Sequence, residues 1–68
     1  MNNNKPTWNV LISVDGADAY VTEISAWSDR EAMRRAADEI LEYRPELADS
    51  DVHTVDAWQV ARLGFTNA

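Results

Sequence analysis

Hydrophobic and polar positions alternate along "TWNVLISV", residues 7–14. Trp8, Val10, Ile12 and Val14 share one face, and Asn9, Leu11 and Ser13 the other. Period two with β-branched and aromatic residues predicts a half-buried strand. Asp15-Gly16 follows as a hairpin signal. "AYVTEISAW" then offers a second strand with Tyr20, Thr22, Ile24 and Ala26 on one face and Val21, Glu23, Ser25 and Trp27 on the other. A two-residue Asp-Gly loop would set Val21 and Glu23 beside Trp8 and Val10 and bury a carboxylate. One slip exchanges the faces. Burial therefore favours an odd loop, of three or five residues, with Tyr20 and Ile24 facing the core.

The period changes in "SDREAMRRAADEILEY". Ser28 and Glu31 stand at capping-box spacing, and Trp27 is placed to staple onto Ala32. Ala32, Met33, Ala36, Ala37, Ile40, Leu41 and Tyr43 fall on one side of the helical wheel. Glu31, Arg34, Arg35, Asp38, Glu39 and Glu42 fall on the other, so the helix is amphipathic and packs on a sheet. Pro45 stops it at Tyr43 or Arg44. "VHTVDAWQVARL" reads as a third strand whose faces conflict: Trp58 and Val60 against Val55, Ala57, Ala61 and Leu63. Either a bulge near Asp56 swaps the faces or both sides are covered; side-chain size favours Trp58 and Val60 inside.

The sum is an α+β domain of order ββαβ, a three-stranded antiparallel sheet with one helix on one face and strand 1 in the middle. It spans residues 7–64, between a disordered end at 1–6 and a tail at 65–68. Leu11, Val21, Ala57 and Ala61 are left on the open sheet face, where a homodimer could form. Trp8, Tyr20 and Trp58 are the aromatic candidates for the core.

With 68 residues, the core is thin and every staple counts. Cysteine is absent, which removes disulfides and thiolate metal sites and fits a reducing compartment. "MNNNKPT" has no hydrophobic core segment of a signal peptide, and no apolar run could span a bilayer. A soluble, cytoplasmic protein is expected. Twelve acids against six bases give a net charge of −6, which disfavours direct binding to nucleic acid or anionic membrane and favours basic partners.

Chemistry is sparse. Two glycines cannot build a phosphate loop, the lone His53 has no cysteine to pair with, and no serine lies in a nucleophile motif. No enzyme and no cofactor are expected. Asp49, Asp51 and His53 would share a face if extended, but Thr54 and Val60 stand where a calcium loop needs glycine and glutamate. A polar loop entering a strand explains them, and no metal is assigned.

Charge is the remaining signal. "DEILEYRPELADSD" holds Asp38, Glu39, Glu42, Glu46, Asp49 and Asp51, six of the twelve acids, against Arg44 alone. Four-apart spacing suggests an ion-pair ladder from Glu31 to Arg35 to Glu39, with Arg34 to Asp38 beside it. Yet acids near a helix C-terminus cost roughly 0.3–1 kcal/mol each when exposed. A solubility coat is one use for them, and occupying a basic surface in place of nucleic acid is another.

In its size, acidity, α/β pattern and charged patch, the whole chain resembles the small phage-type inhibitors, in particular the anti-CRISPR proteins. The resemblance rests on type and on no motif, so it transfers no residue roles. It implies a non-enzymatic inhibitor that binds a CRISPR effector complex in a bacterial host cell and blocks nucleic-acid access. The surface expected to do so is Asp38, Glu39, Glu42, Glu46, Asp49 and Asp51; Arg34 and Arg35 interrupt the acidic helix face. The alternative is a small structural or adaptor domain that dimerises through its open sheet face.

Overall fold

The computed structural model describes residues 5–60. In chain order it contains β1 (Thr7–Val14), β2 (Ala17–Ser25), α1 (Asp29–Tyr43), a 3₁₀ turn (Pro45–Asp49) and β3 (Val52–Gln59). The sheet is antiparallel with strand order β2-β1-β3. This is the ββαβ arrangement with β1 central. The sequence expectations for residues 1–4 and 61–68, Ala61 and Leu63 among them, lie outside the described residues. Pro6, expected in the disordered end, accepts a 3.1 Å bond from the Ala26 amide.

The alternation of β1 puts Val10 and Ile12 in the core, both fully buried. Around them pack Ile24 and Ala26 from the β2 side and Ala32, Ala36 and Ile40 from α1. Trp8 is half-buried against this cluster, and its indole Nε1–H donates to the Ala26 carbonyl at 2.9 Å. Tyr20 also packs on the cluster, and so does Leu47, through which the 3₁₀ turn closes the lower end of the core.

The β1–β2 loop differs from the expected odd length. Val14 pairs with Ala17, so only Asp15 and Gly16 lie between the strands. Both have positive φ, 54° and 87°, as a type I′ turn requires. The odd residue sits in the strand instead. Ser13 pairs with Asp18 and Ile12 with Tyr20, which leaves Ala19 as a bulge. The parity inferred from burial holds and Ile24 is buried, but the chain restores it after the turn rather than within it.

Gly16 has open space around its Cα, with nothing within 4 Å of an added Cβ, so a substitution there meets only backbone strain. Gly16→Val should cost about 1–2 kcal/mol, while Gly16→Asn, which tolerates the left-handed region, should cost less. Urea denaturation of the two variants checks this; equal losses would mean that the turn is not held in its I′ form.

A second bulge corrects the reading of β3. Leu11 pairs with Asp56 and Ile12 with Thr54, so Val55 is the extra residue. The phase change turns Ala57, opposite Val10, towards the core, and Trp58 remains 42% exposed. Size misled the sequence reading. The alanines of α1 bring helix and sheet close together, and the space over this part of β3 suits a methyl group, not an indole. Ala57 therefore leaves the open face, and Trp58 leaves the core. Val60, just past the strand, is half-buried and donates its amide to Thr7.

The helix begins as its capping residues predict. Glu31 N–H donates to Ser28 Oγ at 3.1 Å, and Glu31 Oε1 accepts from the amide of Trp27 at 2.8 Å, one residue earlier than in the usual capping box. The hydrophobic staple does not form. Trp27 is 60% exposed, and the Lys5 ammonium sits 5.9 Å from its ring centroid. Leu41 and Tyr43, counted on the apolar side of the wheel, are also exposed.

Candidate functional site

Pro45 ends α1 and folds the chain into the 3₁₀ turn, which delivers it to β3 beside the hairpin. There the Asp15 amide donates to the Asp51 carbonyl at 2.8 Å, and the Asp51 amide donates to Asp15 Oδ1 at 2.9 Å. Asp15 can do this because its left-handed backbone turns its short carboxylate back towards β3. Two aspartates far apart in sequence are thereby fastened together at the end of the sheet where α1 also finishes.

The neighbouring row of the sheet adds another acid. Ser13 pairs with Asp18 on one side and His53 on the other. His53 Nε2 lies 2.8 Å from Asp51 Oδ1, both side chains being largely exposed. Of the Asp49, Asp51 and His53 trio, only the last two meet. Among the described residues, no group of three or more His, Asp or Glu side chains could hold a metal ion.

Arg44 is the strong cation of this end, and it is committed. Its Nε bonds Glu46 Oε2 at 2.7 Å and its Nη1 donates to Tyr20 Oη at 3.0 Å, so it ties the helix terminus to β2. The hydrogen bond from Arg44, and then the backbone bond of Glu46 itself, hold the Glu46 carboxyl below the usual glutamate range. A lowered folded-state value means that whatever this pair adds to stability is present at neutral pH and is lost as acid protonates Glu46.

The six acids expected to act together divide into two sets. Glu42, Glu46, Asp49 and Asp51 lie at or just beyond the helix terminus, are all exposed, and are joined by Asp15 through its bond to Asp51, a residue the sequence reading left out. Asp18 lies on the sheet face away from α1. Asp38 and Glu39 lie about 6–8 Å back along α1, at ~1.5 Å per residue. Asp38 faces solvent, while Glu39 is half-buried on the Arg35 flank.

The expected ion-pair ladder is not made. Arg35 Nη1 instead donates to the Ser25 carbonyl at 2.8 Å, because this backbone acceptor at the end of β2 lies within its reach. The last helical turn carries no base. The acids there face a helix terminus of their own sign with Arg44 already engaged.

No protein-family model, no curated protein and no solved structure matches the chain. The site must be read from its own chemistry.

That chemistry is electrostatic. The described bases other than Arg44, namely Lys5, Arg30, Arg34 and Arg35, lie before β1 or in the first half of α1. Glu42, Glu46, Asp49 and Asp51 collect at the opposite end, where Arg44 is the one described lysine or arginine, while Asp29 and Glu31 stand among the bases in the first helical turn. No helix among the described residues is long and apolar enough to cross a membrane.

Proposed function

We propose that the chain is a non-enzymatic inhibitor that seats its acidic end on a basic, nucleic-acid-binding surface of a protein complex. CRISPR effector complexes are the partner class its general type implies. One observation carries the reading. Asp15 arrives from the hairpin to join Glu42, Glu46, Asp49 and Asp51, at a helix terminus that disfavours negative charge. An arrangement that works against the fold is accounted for if a partner supplies the missing cations. Closely spaced carboxylates can compete with phosphates for a basic channel, because both pair with the same lysines and arginines.

The test uses purified CRISPR effector complexes and labelled target nucleic acid. Added chain should reduce nucleic-acid binding, and rising salt should abolish the effect. The combined variant Asp38→Asn, Glu42→Gln, Glu46→Gln, Asp49→Asn should lose most of the inhibition while keeping its fold. Inhibition by that variant equal to wild type would remove the acidic end as the contact, and no protection by wild type in any effector class would end the reading.

A further inference from the structure

The face of the sheet away from α1 is apolar at its centre. Leu11 in β1 pairs with Val21 in β2 and stands opposite the Val55–Asp56 bulge of β3, while Trp58 stands opposite Asn9. Val21 is 58% and Val55 51% exposed. Exposed branched and aromatic side chains this close together form a patch with the composition of an interface core.

Charge identifies the occupant. Asp18, Glu23 and Asp56 lie on the same face, opposite Ser13, Asn9 and Leu11. Lys5 is the one described lysine or arginine near this face, at its far end against Trp27; the others stand on α1 or at its end, so the face stays acidic beside its apolar centre. A second copy would bring two acidic rims together. A cationic partner would be attracted by the rim and fill the centre.

Dimensions narrow the partner further. Three strands span two spacings of ~4.8 Å, about 10 Å across, close to the ~10 Å diameter of a helix. At ~3.4 Å per residue, β1 is about 27 Å long, the length of a helix of roughly 18 residues. We infer that the open sheet face docks a basic amphipathic helix of a partner protein, with Leu11, Val21 and Trp58 receiving its apolar stripe and Asp18, Glu23 and Asp56 its flanking lysines or arginines. The inference rests on the basic partner proposed above and gives the chain a second contact with it, separate from the acidic end.

The probe is a labelled leucine–lysine helical peptide about 18 residues long, with its leucines in one stripe. It is compared with a scrambled peptide of identical composition and with a version carrying glutamate for lysine, by fluorescence anisotropy. Wild type should prefer the striped cationic peptide to the scrambled one by on the order of ten-fold, and should not bind the glutamate version. Trp58→Ala and Val21→Ser change exposed side chains, and each should reduce that preference to near unity with the circular dichroism unchanged. Glu23→Lys, on the same face, should weaken the striped peptide most.

The four-acid variant should keep the preference for stripe over scramble, so failure of the acidic-end reading is distinguishable from failure of this one. An unchanged preference in Trp58→Ala and Val21→Ser would overturn the inference. So would equal binding of all three peptides, or a wild-type dimer in sedimentation that Trp58→Ala dissociates, since a second copy would then be the occupant.

Discussion

Ile12→Ala should remove about 2–5 kcal/mol of stability, enough to unfold a large share of the molecules at room temperature. Among the described residues, Ile12 is one of two large side chains with no exposure at all, beside Val10. It sits in the central strand between Tyr20 and Thr54, just where both neighbouring strands carry their extra residue. Bulges there limit how far the backbone can close around a deleted side chain, so both the transfer loss and a residual cavity are expected. A domain of this size has only ~3–10 kcal/mol in total. Ile12→Val, which removes one methylene, should cost about 0.5–1.5 kcal/mol. Urea denaturation of the pair measures both. A loss under about 1 kcal/mol for Ile12→Ala would place the centre of the core elsewhere.

The second large effect is a gain in volume. Ala36→Leu should cost about 1–3 kcal/mol, although leucine forms helix nearly as well as alanine. Ala32 and Ala36 are both fully buried in the helix–sheet contact, with Ala26 beside them. They let α1 sit close to the sheet, and a longer side chain must lift the helix or distort a rotamer. Ala37→Leu, one position round at a half-buried site, is the matched control and should cost little. Thermal melts read the contrast as a difference of several degrees, at ~4–8 °C per kcal/mol for a small domain. Equal melting temperatures for the two variants would mean that the helix does not present Ala36 to the sheet.

Sequence periodicity was enough for the elements because each depends on local spacing. The alternation in β1, the Asp15-Gly16 turn, the Ser28 cap and the stop at Pro45 are decided by neighbours within a few residues. The bulges depend on three strands together. Burial showed that the β1–β2 connection had to restore odd parity, but nothing near Gly16 said that the extra residue would be Ala19. In β3 the competing sets were visible, and side-chain size chose the wrong one, because the closeness of α1 comes from alanines on another element. The candidate site follows the same division. Glu42, Glu46, Asp49 and Asp51 were legible as a run, while Asp15 joined them only through the meeting of the hairpin with the chain entering β3. Arg35 illustrates the limit: its four-apart carboxylates were in the sequence, and the Ser25 carbonyl it bonds was not in the same helix.

The two bulges also bear on how molecules meet side by side. An outer strand with an unbroken ladder of free amides and carbonyls is a template for further strands, and short stretches suffice to seed fibrils. Here Val55 divides β3 into Val52–Thr54 and Asp56–Gln59, and Ala19 cuts β2 so that its longer piece, Tyr20–Ser25, carries Glu23. Neither rim offers a long, regular, uncharged template. A concentrated solution of this chain should therefore resist strand-on-strand growth, and deletion of Val55, which would leave β3 an unbroken ladder with Asp56 as its remaining guard, should weaken that resistance.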